Sequence, residues 1–310
     1  MKYIEVGKQP KKVSQLVMGT DYFHSQNLDT VHDIMTQFMN IGGNTFDTAN
    51  IYRGGESELA LGQWMEETKT RDQLVIFTKG AHHDQKGPRV NREAIYQDVM
   101  TSIERLRVPY IDLYGLHRDD PQMPVGVILE ALNEHIEAGR IGAIGGSNWT
   151  HQRLHEANTY AEQHGLIGFS FSSPNLSLAK AQAAYWPGCV SADEATLKWH
   201  TKSQLPLFSW SSQARGFFTE RAHPQYLDDA NLVRVFYNEA NWQRRARAEQ
   251  LAKNKGVKCI EIALAYVLNQ PFPTCALIGP RGETEMKSCQ NGTSIHLTAE
   301  EMAWLVDGKL

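Results

Sequence analysis

The sequence is poor in cysteine, in clustered basic residues and in long apolar runs, and each shortage removes a class of protein. Four cysteines, Cys189, Cys259, Cys275 and Cys289, are scattered over 310 residues, and none forms a Cys-x-x-Cys pair. Neither a disulfide framework nor a thiolate zinc site is indicated. The formal net charge is -4, and no block of Lys and Arg stands out. Binding a nucleic-acid backbone needs such a block, so nucleic acid is not expected as a partner. A short anionic ligand needs only a local positive site and stays open. No run approaches the roughly eighteen apolar residues of a membrane span. The opening MKYIEVGKQPKK lacks the apolar segment of a secretory signal. A reducing, cytoplasmic setting without membrane association is the expectation. No Pro/Ser-rich linker and no solenoid-type repeat divides the chain. Residues 1–310 are therefore expected to form one domain, and at 41% hydrophobic content they can bury a substantial core.

What is present is an alternation of two periods. KYIEV and VSQLV flank the turn-like GKQPKK, which predicts an N-terminal β-hairpin feeding a strand. Short β-rich apolar runs then alternate with helical segments. The runs are VSQLVMG, NTFDTA, LVIFTKG, IDLYGLH, IGAIGGSN, LIGFSFSS, LPLFSW and TCALIG. Between them apolar residues recur at helical spacing, as Ile128, Leu129, Leu132 and Ile136 do. A longer insertion follows the seventh run, and a helical tail follows the eighth. Apolar strands between amphipathic helices imply a parallel sheet covered by helices. Eight such units closing on themselves make an α/β fold of the (β/α)8 TIM-barrel type. An open doubly wound sheet shares the alternation, but its G-x-G-x-x-G after the first strand is missing here, where that strand ends GTDYF.

In a barrel of this type the chemistry sits at the C-terminal strand ends. Read in order, those ends present Asp47 with Tyr52 in its loop, Lys79, His117, Ser147 with Asn148, Ser172 with Ser173, Trp210, and Gly279 with Arg281. Each residue taken alone has an ordinary explanation. Lys79 and Asp47 could be a structural ion pair, His117 a rim histidine and Tyr52 a loop aromatic. Their convergence on one face suggests proton transfer coupled to carbonyl reduction. A phenol holds its proton until about pH 10, and a nearby ammonium should lower that value. Asp47 would hold Lys79 charged. His117 could donate to the substrate oxygen or relay a proton. No side chain supplies a hydride, so the donor must be a bound cofactor.

The stretch GGNTFDTANIYRGGESE resembles the aldo-keto reductase pattern G-x-x-x-F-D-T-A-x-x-Y-G-x-[GS]-E. The segments TKG, YIDLYGLHRDDP and EALNEHIEAGRIGAIGGSN extend the resemblance over essentially the whole chain. It implies a catalytic tetrad of Asp47, Tyr52, Lys79 and His117. It implies that Ser147 and Asn148 hold the nicotinamide carboxamide, with Ser173 standing where the family usually has a glutamine. WSSQARG resembles the family's Y-S-P-L-x-x-G, which gives Trp210 the place of the aromatic that stacks on the nicotinamide and brings Ser211 and Gly216 to the cofactor. IGPRGETEMKSC resembles the adenosine-phosphate segment, with Gly279, Arg281 and Glu285 at the cofactor and Arg281 favouring NADP over NAD. Cys289 stands where the family commonly has asparagine.

The implied activity is NADPH-dependent reduction of an aldehyde or ketone, a sugar or related metabolite included, with Tyr52 as proton donor. Two other readings stay open: a cofactor-binding regulatory subunit with slow turnover, and a Schiff-base aldolase using Lys79 as nucleophile. Tyr22 and Trp149 are candidates for the substrate pocket. His82, His83 and Asp84 could suggest a metal, but adjacent residues rarely converge on one ion, so no metal is expected. Residues 217–236 are long enough to cover a cofactor. The sequence names neither the substrate nor an oligomeric state.

Overall fold

Alternation along the strands decides both the barrel and the position of its polar residues. The computed structural model describes residues 1–308; the last two positions of the expected 1–310 domain, 309 and 310, lie outside the described residues. Strands β1 (Tyr3–Ile4) and β2 (Val13–Ser14) form the expected antiparallel hairpin. Strands β3 (Leu16–Gly19), β4 (Thr45–Asp47), β5 (Val75–Gly80), β6 (Ile111–Leu116), β7 (Ile141–Ser147), β8 (Phe171–Ser173), β9 (Leu207–Ser209) and β10 (Thr274–Ile278) close a parallel barrel, with β10 paired to β3. The chain is a (β/α)8 TIM barrel with an N-terminal hairpin.

Helices α1 (Leu28–Asn40), α2 (Glu56–Thr68), α3 (Arg92–Leu106), α4 (Val125–Glu137), α5 (His151–His164) and α6 (Glu194–Ser203) connect successive strands. Their inner faces follow the sequence period: α1 buries Val31, Ile34, Met35 and Phe38. Side-chain caps start several of them. Asn91 accepts from the Ala94 N–H, Thr150 from Arg153 and Asp193 from Thr196. The insertion after β9 holds α7 (Ala230–Phe236) and the basic α8 (Glu239–Lys255), followed by α9 (Cys259–Leu268). After β10 come α10 (Glu283–Gly292) and α11 (Ala299–Asp307), the expected helical tail. No helix among the described residues is long and apolar enough to cross a membrane.

The barrel interior is an apolar plug. Val17, Phe77, Leu113, Ala143, Phe171 and Phe208 share one buried cluster, joined by Val6 and Val13 from the hairpin end. The rings of Phe77, Phe171 and Phe208 touch with centroids 5.0, 5.5 and 5.1 Å apart. Two residues further along a strand the same face returns. Phe77 is thus followed by Lys79, Phe171 by Ser173 and Phe208 by Trp210, while the face of Leu113 reappears at Gly115 and His117. On β4, Phe46 turns outward against Phe38 and Trp64, so Asp47 turns in. Gly115 leaves room in this layer, because a Cβ there would lie 2.9 Å from the Phe77 ring and 3.3 Å from Lys79 Cγ. The polar layer therefore rests directly on an aromatic floor.

Two stretches differ from expectation. VSQLVMG is divided between β2 and β3 at Gln15, whose carbonyl accepts from Ala276 and whose amide donates to the Leu268 carbonyl. Of LIGFSFSS only Phe171–Ser173 is strand, and a loop over 174–193 then leads to α6. Residues 217–236, read as a possible cofactor cover, contain α7 and are clasped to that loop. Arg234 donates to the Ala184 and Tyr185 carbonyls, and Gln182 donates to the Arg234 carbonyl.

Candidate active site

Asp47 and Lys79 reach the same point from adjacent strands. Lys79 Nζ lies 2.6 Å from Asp47 Oδ1, and both side chains are 3% exposed. Nζ also donates to the Thr48 carbonyl at 2.7 Å and to the Tyr52 hydroxyl at 3.3 Å. Two hydrogen-bond acceptors and one carboxylate thus surround the ammonium. The cation also stands 4.7 Å from the Phe77 ring centroid and 4.9 Å from that of Tyr52.

The loop that carries Tyr52 is fixed from below. Thr48 and Asn50 extend the ladder by donating to the Phe77 and Lys79 carbonyls. Arg105 of α3 donates to the Asn50 carbonyl at 2.8 Å and stands 3.5 Å from the buried Glu58, which accepts from Thr78 at 2.6 Å. After Tyr52 the chain turns through Arg53, Gly54 and Gly55, all at positive φ. Gly55 has a φ of 102°, and a Cβ there would meet the Arg105 guanidinium. Only glycine gives both the turn and the close approach.

His117 completes the group. Its ring stands edge-on to Tyr52 with centroids 5.5 Å apart, and His82 packs against it at 4.8 Å. The His117 N–H donates to the Gly80 carbonyl, which continues β6 past its last ladder pair, and its Nδ1 is buried without a partner. Burial, helped by the positive charge of Lys79 and Arg118, pushes the His117 pKa well below the usual histidine value. The imidazole is therefore neutral at pH 7. Burial raises Asp47 to about 6 against the pull of Lys79, and it lowers Lys79 against the pull of Asp47.

One expectation is reversed. The Tyr52 phenol does not shift toward neutrality; its pKa rises well above 10. Burial is the main cause, followed by the carboxylates of Asp47 and Asp21, and the opposing cation is Arg118. Tyr52 is thus a held acid in the protein without ligands. The expected result is that wild type and Tyr52→Phe show the same phenolate absorbance in an ultraviolet titration up to about pH 10. Extra phenolate in wild type near neutrality would contradict this.

The sequence model of the Aldo/keto reductase family matches residues 15–307. The chain belongs to the aldo/keto reductase family. It is 28% identical to norsolorinic acid reductase B of Aspergillus parasiticus, across 94% of this chain and 79% of that protein. It is 26% identical to the uncharacterized oxidoreductase YrpG of Bacillus subtilis, across 99% and 95% of the two chains. With the aldo-keto reductase YhdN of Bacillus subtilis the identity is 26%, across 91% and 82%. As a member of this family the protein is an oxidoreductase of small carbonyl compounds, and the family uses NAD(P)H.

In this aldo/keto reductase the expected cofactor residues divide into free and committed groups. Ser173 Oγ is buried and has no partner, so it can take a ligand. Ser147 Oγ already donates to the Ser173 carbonyl at 3.1 Å. Asn148, at a φ of 59°, donates to the His117 carbonyl and to Ser147 Oγ, while its Oδ1 accepts from Trp210 Nε1 at 3.2 Å and the Val190 N–H at 3.1 Å. Asn148 therefore ties the barrel rim to the 174–193 loop. Trp210 is partly exposed, with Trp186 of that loop 6.0 Å away. Ser211 and Gly216 lie in the turn after β9, both at positive φ. Gly279 and Arg281 are exposed just past β10, and the Arg281 N–H donates to Glu285 at 2.8 Å. An unpartnered hydroxyl, an accessible indole and an exposed cation in one strand-end arc fit a nicotinamide dinucleotide.

The two pocket candidates are each engaged by the protein's own groups. Trp149 is 2% exposed, donates to the Arg118 carbonyl at 3.1 Å and packs on Phe169. It is a wall behind Arg118, because the left-handed turn at Asn148 directs the next residue back toward the helices. Tyr22 donates to the Pro280 carbonyl at 2.6 Å, and its ring lies 5.2 Å from the Arg281 guanidinium. It joins the first strand end to the β10 end. Sequence reading passed over Glu58, Arg105 and Arg118. The first two carry a signal only in their burial. Arg118 stands directly after His117 at a strand end.

Proposed function

We propose that this oxidoreductase reduces an aldehyde or ketone to an alcohol with NADPH, with Tyr52 as the proton donor. The observation that carries the reading is Lys79 bridging Asp47 and the Tyr52 hydroxyl on the aromatic floor. Ser173, with Ser147 and Asn148 as its support, would meet the carboxamide. Trp210, Ser211 and Gly216 would flank the ring and pyrophosphate end, and Gly279, Arg281 and Glu285 the adenosine phosphate. When bound, the reduced nicotinamide supplies the hydride. Tyr52 gives its hydroxyl proton to the carbonyl oxygen as that oxygen gains charge. Lys79 then stabilises the phenolate left behind, and neutral His117 positions the oxygen. The raised phenol pKa suits this order, since Tyr52 stays protonated until the substrate oxygen becomes the stronger base. As pH falls through about 6, Asp47 takes up a proton and the grip on Lys79 is lost first.

The Schiff-base reading needs a free amine, but Lys79 is paired with Asp47, donates to the Thr48 carbonyl and the Tyr52 hydroxyl, and is 2% exposed. A screen of aldehydes, ketones and sugars with both cofactor forms tests the proposal, with oxidation expected over many turnovers and NADPH preferred. Arg281→Ala should weaken NADPH about tenfold, about 1.4 kcal/mol, and leave NADH unchanged. Equal loss with both forms would reject Arg281 as the 2′-phosphate contact. Consumption of a single equivalent of NADPH would favour a regulatory subunit.

A further inference from the structure

Arg118 is a buried cation that the protein leaves without a counter-ion. It is 7% exposed. Its Nη1 donates to the His117 carbonyl at 2.8 Å, its Nη2 reaches Cys189 Sγ at 3.5 Å, and its Nε is buried without a partner. A carbonyl and a thiol are neutral acceptors, and sulfur is a weak one. The two acids that follow in sequence are engaged elsewhere. Asp119 pairs with Arg153 at 3.3 Å, and Asp120 accepts from the Gln122 N–H. Among the described residues no carboxylate lies within ion-pair distance of Arg118. Burying a guanidinium this way is costly, and the cost falls when an anion arrives.

Its position says which anion. The side chain lies against Gly188, where a Cβ would come within 3.3 Å of Arg118 Cδ, so the 174–193 loop covers its stem. Its charge acts on Tyr52, His117 and His82, the group at the barrel mouth. Trp186 and Trp210 supply aromatic surface on the same loop and rim. The strand ends expected to hold the cofactor are the later ones, from β7 round to β10, whereas Arg118 follows β6.

We infer that Arg118 binds a carboxylate of the substrate, so that the carbonyl reduced at Tyr52 belongs to an aldehyde acid or keto acid. The inference rests on the carbonyl-reductase reading above. A planar guanidinium with a free Nε–H suits a carboxylate, and an aromatic acid could use the indoles as well.

The test compares 4-carboxybenzaldehyde with its methyl ester in wild type, Arg118→Met and Arg118→Lys, each with NADPH. Wild type is expected to favour the acid at least tenfold in kcat/KM. Arg118→Met should lower kcat/KM for the acid roughly 100-fold, mainly through KM, and for the ester at least tenfold less than that. Arg118→Lys should recover part of the loss. Equal reduction of the two aldehydes by wild type, or an equal loss with both in Arg118→Met, overturns the inference. The wild-type comparison decides even where Arg118→Met does not fold. NADPH affinity should be unchanged in the variants, and a loss there would assign the cation to a cofactor phosphate and sink the inference. Benzoate binding, followed by tryptophan fluorescence, separates the two readings. If wild type reduces neither aldehyde yet binds benzoate only with Arg118 intact, the anion site stands and the reductase reading falls. Benzoate binding that survives Arg118→Met removes the anion site.

Discussion

Tyr52→Phe is expected to lower kcat for carbonyl reduction by about 10³ and to leave NADPH affinity within about twofold. The size follows from how few groups can replace the phenol. General acid catalysis contributes roughly 10²–10⁴. His117, 5.5 Å away between ring centroids, is neutral, and burial holds its pKa well below the histidine range. A neutral imidazole is a poor acid, and donating from it would leave an anion. Lys79 donates to the Thr48 carbonyl and the Tyr52 hydroxyl and is paired with Asp47. Phenylalanine keeps the ring that covers the Lys79 cation, so the loop and the turn through Gly54 and Gly55 should be retained. Single-turnover oxidation of bound NADPH isolates the step. A loss below tenfold would assign the proton to water or to His117.

Lys79→Met is expected to abolish detectable reduction and also to destabilise the protein by about 3–5 kcal/mol. The cause is the carboxylate left behind. Asp47 is 3% exposed on its side chain, and without Lys79 nothing offsets its desolvation. The native state would answer by binding a proton at Asp47, whose pKa already stands raised at about 6. Adding Asp47→Asn removes the stranded charge, so the double variant should regain most of the lost stability and none of the activity. Denaturant midpoints measured on both variants give the stability terms. The coupling between the two changes separates the ion pair from packing against Phe77. A Lys79→Met protein as stable as wild type would mean that the pair is not ionised in the fold.

Much of this arrangement was legible because strands alternate. Once Phe77, Leu113, Phe171 and Phe208 are placed in the interior, Lys79, His117, Ser173 and Trp210 must face the same way near the barrel mouth. Short apolar runs between helical repeats need no tertiary knowledge, so the barrel and the residues at its strand ends were legible in the sequence. The remainder depends on burial and on side-chain choice. The direction of the Tyr52 pKa turned on how deeply the phenol is enclosed and on Asp21 and Asp47 nearby. Asn148 lies at the expected strand end, but its left-handed backbone and its four hydrogen bonds to the protein are invisible in GGSN. The same turn sends Trp149 back toward the helices. The lack of a carboxylate partner for Arg118 exists only in three dimensions.

The central claim is that hydride from the nicotinamide and a proton from the Asp47–Lys79–Tyr52 group meet on one carbonyl. Reduction of an accepted aldehyde with NADPH deuterated at both C4 positions measures it most directly. One deuterium is expected on the carbinol carbon of every alcohol molecule formed over many turnovers, and none at that carbon when the label is in the water instead. Carbinol deuterium drawn from solvent, or label transfer that stops after one equivalent of cofactor, would contradict it.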